Sequence, residues 1–380
     1  MTHITFGAYY NQPINRNVFP PSLKCIIFGI NFNQKIDIGV FPDSLMELTF
    51  GNNYDQYLEP YVLPQSLLKL IFGYKFNQLI GKGVLPSRLN HLAFGSMFNQ
   101  LIERDVLPKS LKYLFFGNDY AQPIGYKVLP DSLEELTLSN QFNHPIDRYI
   151  FPASLKQLTI GWIFDQRIRQ GVLPYTLTHL TIEGNRFNLP IEKFVLPSSL
   201  THLTISGCFN QMLGHDVLPD SLVELTLGYG YDQIIMPGVL PKFLKYLKFG
   251  YDYNKPIDKS VLPESLEILI FGNKFNHPID LDVLPKSLIE IYFGHSFNQP
   301  ISINTFPNSV IKIVFGWCFD QYLEQENLPS SLTDLTIGSQ YNHLIADDML
   351  PNSVIQLRLS QMYRYKTKLN LRSSLKVVFI

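Results

Sequence analysis

The chain has 380 residues, 46% of them hydrophobic, a net charge of −1 and three cysteines. That hydrophobic share excludes a disordered chain. A near-neutral charge with no run of like charges excludes the basic stripe of a nucleic-acid groove and an electrostatic membrane anchor. No apolar run approaches the roughly 18–20 residues of a membrane span.

The first residues, MTHITFGAYYNQPI, lack the basic and apolar regions of a signal peptide and already read as repeat. Pro20, Pro42, Pro64, Pro86, Pro108, Pro130, Pro152 and Pro174 stand 22 apart. The series resumes at Pro197, one residue late, and keeps a step of 22 through Pro351. The extra residue falls in Glu183-Gly184-Asn185-Arg186, read as a loop that tolerates it. Arg372 replaces the proline of the last unit, 21 residues after Pro351. Repeat therefore fills 1–380 as a single array, with no segment left for a second globular domain. A chain of this kind grows along one dimension, and neighbouring units cover each other's apolar faces.

Numbering each coil from the leucine of its Ser-Leu step gives the roles. Positions 4 and 6 are apolar and alternate with variable positions 3 and 5, as in Leu48 and Phe50 or Leu70 and Phe72. That is the period of a short strand with one buried face. Glycine at position 7 (Gly51, Gly73, Gly95, Gly294) reads as a strand-ending turn with positive φ. Position 10 is aromatic in all seventeen complete coils, from Tyr10 to Tyr363, so rings can stack from coil to coil. Position 11 is Asn or Asp, with Ala121 an early exception, and position 12 is mostly Gln. Polar side chains beside a buried ring at a bend imply a hydrogen-bonded ladder between coils.

Cys208 and Cys318 hold the same coil position five coils apart. That is roughly 24 Å at about 4.8 Å per strand, too far for a disulfide. With no Asn-x-Ser/Thr site either, free thiols and a cytoplasmic location are expected.

The run L-x-x-L-x-[FIL]-G resembles a leucine-rich repeat, with one parallel strand per coil on a concave face. The fuller block, L-P-x-S-L followed by F-N-x-P-I, as in Leu284–Ile301, is similar to the FNIP repeat. FNIP repeats are leucine-rich-repeat relatives abundant in social amoebae and in giant viruses of amoebae. The resemblance implies a repeat solenoid: a curved, leucine-rich-repeat-like array of about seventeen 22-residue coils with eighteen short parallel strands. It also implies host cytoplasm if the chain is viral. Many members carry an F-box ahead of the repeats, which links them to ubiquitin ligases. Here Met1 already occupies the first strand, so no F-box is expected.

Positions 3 and 5 line the strand face that the repeat leaves free. Position 3 reads Glu135, Gln157, His179, His202 and Glu224 from the seventh to the eleventh strand, beside a column of threonines at position 5. Tyr113 and Phe115 flank it on one side, Tyr246 on the other, and Tyr292 lies further on. Polar residues between aromatic anchors are the make-up of a protein-binding hot spot. These nine residues are the candidate partner-binding set. His179, His202 and Glu224 have the right types for a metal but no ligand spacing. No nucleophile elbow, phosphate loop or zinc framework is present, so neither enzyme activity, cofactor nor metal is expected. The expected function is a protein-interaction scaffold without catalysis. The alternatives are a substrate receptor serving a ubiquitin ligase in trans and an assembly protein self-associating end to end through Leu375–Ile380.

Overall fold

The computed structural model describes residues 1–380. Two compact units are distinguished, Met1–Phe187 and Asn188–Ile380. The division falls directly after the loop that holds the extra residue. Unit 1 contains β1 (His3–Thr5), β2 (Cys25–Ile27), β3 (Glu47–Thr49), β4 (Lys69–Ile71), β5 (His91–Ala93), β6 (Tyr113–Phe115), β7 (Glu135–Thr137), β8 (Gln157–Ile160) and β9 (His179–Ile182). Unit 2 contains β10 (His202–Ile205), β11 (Glu224–Leu227), β12 (Tyr246–Lys248), β13 (Ile268–Ile270), β14 (Glu290–Tyr292), β15 (Lys312–Val314), β16 (Asp334–Thr336), β17 (Gln356–Leu359) and β18 (Lys376–Phe379). Within each unit successive strands pair in parallel, each residue facing its counterpart one coil on, as Leu48 faces Leu70 and Leu269 faces Ile291. The last pairing departs from this, with Gln356 facing Lys376. The eighteen strands and the solenoid of about seventeen coils match the sequence reading.

Burial follows the alternation. In the coil from Leu45, the residues Leu45, Leu48, Phe50, Tyr54, Leu58, Val62 and Leu63 are all buried, and the same seven positions recur along the chain. At roughly 1.5–3 kcal/mol per large side chain, burial offsets the ordering of a coil only where neighbours cover it. Two aromatic columns run through the core. Position-10 rings stack at coil spacing, Phe76 on Phe98 at 6.1 Å. Position-6 rings stack likewise, Phe72 on Phe94 at 5.8 Å, and each packs flat on the position-10 ring of its own coil, Phe72 on Phe76 at 3.8 Å.

The glycines of position 7 serve a different purpose from the one expected. None of Gly51, Gly73, Gly95 and Gly294 has positive φ. A Cβ on Gly95 would instead collide with the carbonyl oxygen of Gly73, and a Cβ on Gly73 with that of Gly51. Close approach of successive coils excludes the side chain. Every Phe at position 6 is followed by Gly, whereas the residues replacing Gly at position 7 (Ser139, Glu183, Ser206, Ser360) all follow Leu or Ile. The left-handed turn lies at position 17, where Asn17, Gly39, Tyr61, Gly83, Asp105 and Lys127 all have φ between 58° and 82°.

The polar ladder is present. Asn77 Oδ1 accepts the Asn99 backbone N–H at 2.9 Å and Gln100 Nε2 at 3.1 Å, and Asp55 serves Asn77 and Gln78 in the same way. Ala121 has no such oxygen; His144 Nε2 lies 2.8 Å from the Ala121 carbonyl oxygen, the same contact that His277 and His343 make with the coil before them. A second ladder had no sequence expectation. The serine of the Ser-Leu step donates to the leucine carbonyl of the preceding coil, as Ser44 to Leu23 at 2.6 Å and Ser287 to Leu266 at 2.7 Å.

One buried polar group breaks the pattern. Thr305 occupies the position of Val40, Val62 and Val283, is 2% exposed, and its Oγ1 has no hydrogen-bond partner. Thr305→Val keeps the shape and removes the orphan hydroxyl. The expected gain is about 1 kcal/mol, read as a higher denaturant midpoint at unchanged slope.

Candidate interaction face

Position-4 side chains of the strands point into the core, which leaves positions 3 and 5 outside. In unit 1 the burial pattern along β4, β5 and β7 is half-buried, buried, half-buried. Strand register then places Tyr113 beside Glu135, Glu135 beside Gln157 and Gln157 beside His179, with Phe115 beside Thr137. Four of the nine candidates therefore form one continuous row, with Phe115 in the column beside it. His91, on the adjoining strand, joins them: its ring lies 5.8 Å from Tyr113 and 5.5 Å from Phe115.

The same face of unit 1 carries a depression of about 410 Å³ bounded by Lys24, Met46, Glu47, Lys69, His91 and Tyr113. Burial and the nearby Lys69 lower the pKa of His91, so its imidazole is held neutral. Burial, then the Glu47 carboxylate, raises the pKa of Cys25, which keeps it a thiol. Lys24 and Lys69 form no ion pair, in contrast to Lys112 and Lys156, which clasp Glu134 at 2.9 and 2.7 Å. Those two ammonium groups hold the Glu134 carboxyl at about 2.

Unit 2 holds the other four candidates in two groups. His202 faces Glu224 and Glu224 faces Tyr246 across β10–β12, with His202 Nε2 3.5 Å from the Glu224 carboxylate. Burial, then Glu224, raises the pKa of the Tyr246 hydroxyl. Two strands further on, the Tyr292 hydroxyl donates to Glu290, while Lys312 Nζ lies 3.3 Å from Glu290 and 4.9 Å from the centre of the Tyr292 ring. Tyr292 is thus a member of a small charged cluster of its own. No group of three His, Cys, Asp or Glu side chains is arranged to hold a metal ion.

The FNIP Repeat family model matches the chain in nine stretches: 1–30, 32–75, 76–119, 120–162, 164–208, 187–230, 231–274, 275–318 and 319–361. The chain belongs to the FNIP repeat family. Among solved structures, the giant-virus protein CroV588, described as a novel circular leucine-rich-repeat protein, is 39% identical with a TM-score of 0.79. The match covers all of this chain and 63% of CroV588. YopM from Yersinia enterocolitica is 21% identical over 95% of this chain and 83% of its own, with a TM-score of 0.51. TLR13, solved in complex with ssRNA13, is 17% identical over 89% of this chain and 50% of its own, also at 0.51. The last two likenesses show the fold alone. No curated protein sequence matches the chain. No helix is long and apolar enough to cross a membrane.

The FNIP block F-N-x-P-I itself lies outside the face. Its Phe and Ile are core and its Asn is ladder. The depression over β1–β6 escaped sequence reasoning because its walls come from positions 2 and 3, whose residue types change from coil to coil. The available signal was the run Lys69, His91, Tyr113 at position 3 of consecutive coils.

Proposed function

We propose that this FNIP array is a non-catalytic scaffold that binds a protein partner on the open strand face. The depression that ends at Tyr113 carries the reading. It joins two unpaired lysines to the Tyr113, Phe115 and His91 rings on a face whose backbone is fixed by strand pairing. Pre-formed aromatic anchors of this kind lose little entropy on binding. Glu135, Gln157 and His179 extend the contact from there, and His202, Glu224, Tyr246 and Tyr292 supply contacts on unit 2. The free thiols Cys25, Cys208 and Cys318 suit a reducing compartment, and we place the protein in the cytoplasm, that of the host if the gene is viral.

Phe115→Ala and Tyr246→Ala, each in the full chain, test the face. Loss of an anchor is expected to weaken capture of the natural partner by about 30-fold, equivalent to about 2 kcal/mol. Unchanged capture by both variants would remove these anchors. Crosslinking in the native host then sorts the partner class. Recovery of ubiquitin-ligase subunits identifies a receptor acting in trans, and recovery of copies of this chain identifies an assembly role.

A further inference from the structure

Charge is unevenly distributed over the last coils of unit 2. Residues 313–357 hold six Asp and Glu but no Lys or Arg, and residues 358–380 hold six Lys and Arg but no Asp or Glu. Pairing inside the chain uses part of each set. Arg358 meets Asp334 at 3.1 Å, Arg372 meets Asp347 at 3.1 Å, and Asp320 lies 3.3 Å from His343. Glu324, Glu326 and Asp348 form no ion pair, and neither do Arg364, Lys366, Lys368 and Lys376. Lys376 faces Gln356 in the strand register and so belongs to the strand face. Three carboxylates and three cations remain, all of them on the turns between strands.

The two sets adjoin. Glu324 and Glu326 flank Gln325 at the 3₁₀ turn Gln325–Asn327, and Asp348 lies in the corresponding turn one coil on, Asp347–Met349. Lys366 and Lys368 bound a third such turn in the next coil. A depression of about 540 Å³ has Gln325, Asp348 and Lys368 in one wall, so carboxylates and ammonium groups share one side of unit 2. Apolar surface accompanies both sets. Leu344 is exposed in the same wall, and the Tyr365 ring lies 5.7 Å from the Arg364 guanidinium and 5.8 Å from Lys368 Nζ.

This arrangement selects a partner. A nucleic acid or an anionic membrane would be attracted by the three cations but repelled by the carboxylates beside them. A surface that carries both signs side by side is complementary to itself. Turned by a half-rotation, a second copy brings its acids to the bases of the first and its bases to the acids. With a net charge of −1, two copies also meet without long-range repulsion. We infer that this side of unit 2 is the contact of a two-fold symmetric dimer. In it, Glu324, Glu326 and Asp348 of each copy face Arg364, Lys366 and Lys368 of the other. The contact is separate from the strand face, so either assignment can fail without the other.

Analytical ultracentrifugation of the full chain measures the dimer. At low salt the mass should rise with concentration from 43.7 kDa towards twice that value. Raising the salt from about 0.02 M to about 0.5 M should weaken association at least about tenfold, because exposed pairs are screened. Two charge-reversed chains then test the pairing. Glu326→Lys with Asp348→Lys makes the surface mainly basic, and Arg364→Glu with Lys368→Glu makes it mainly acidic. All four side chains are exposed, and circular dichroism confirms that both chains are folded. Each reversed chain alone should be monomeric, while an equimolar mixture should form a one-to-one dimer. A parent chain that is monomeric at about 0.1 mM in low salt would overturn the assignment. So would association unmoved by salt or by either reversal, or a mixture that stays monomeric.

Discussion

Between about pH 10 and pH 12 the fold is expected to come apart, well before the backbone itself is at risk. Tyr54 and Tyr120 in unit 1, and Tyr231, Tyr253 and Tyr341 in unit 2, stand in the aromatic column and are at most 3% exposed. Burial pushes all five phenols well above the ordinary tyrosine range. A raised folded-state pKa means that the neutral phenol is favoured in the fold. Stability is therefore fully present below the unfolded pKa of about 10 and falls as the pH rises beyond it. Each group costs about 1.4 kcal/mol per pH unit over that range, or about 3 for unit 1 and 4 for unit 2. Against a total of about 5 kcal/mol, the lower end of the typical range, one to two pH units suffice. Circular dichroism followed with phenolate absorbance checks this, since both signals should change together. Replacing Tyr231, Tyr253 and Tyr341 by Phe should move the midpoint upward. An unmoved midpoint would show that the buried phenols do not control the transition. The hydroxyls of Tyr54, Tyr231 and Tyr341 also lack hydrogen-bond partners, so the Phe variants should gain stability at neutral pH as well.

Gly95→Ala is expected to destabilise unit 1 by about 3 kcal/mol, at the upper end for an overpacked core site. The new methyl would occupy the space of the Gly73 carbonyl oxygen, which is fixed by the neighbouring coil. Gly7→Ala is the matched control. A Cβ there meets nothing within 4 Å, and its φ is not positive. With no collision, the lower entropy of an unfolded alanine should leave the protein unchanged or up to about 1 kcal/mol more stable. Denaturant midpoints of the two variants measure the contrast. Equal midpoints would show that coils can separate enough to admit a side chain.

The same glycines show where sequence reading reached and where it stopped. Period, strand number, core positions and the Asn ladder were all legible, because each is a residue type held at one coil position for a reason internal to the coil. Gly95 was recognised as special but for the wrong cause, since what excludes its side chain belongs to a residue 22 positions away. Position 17 was missed altogether. Lys127, Tyr149 and Phe194 all take a left-handed φ there, and none of these residue types favours it. The turn is imposed by closure of the coil and leaves little trace in composition. Of the candidate face, the row from Tyr113 to His179 was legible as a column of free positions. The depression beside it depends on how side chains of successive coils leave space, which residue identity alone does not specify.

The two side-chain ladders between coils both point one way. Asn77 offers its oxygen forward to Asn99 and Gln100, and Ser44 reaches back to Leu23, so every coil has a leading face and a trailing face of fixed chemistry. A whole coil can therefore be duplicated or removed and the new junction will still find its partners, whereas a shorter change shifts partners out of register unless a loop absorbs it, as the loop at Glu183–Arg186 absorbs the extra residue while Phe164 still stacks on Phe187. The unit in which such a protein can lengthen or shorten is 22 residues. Some joints are less exchangeable, because their two sides have become matched: Asp232 holds Lys255 at 2.9 Å, and Lys112 and Lys156 clasp Glu134 between them. Such matched pairs make the order of the coils, as well as their number, part of what the sequence must preserve.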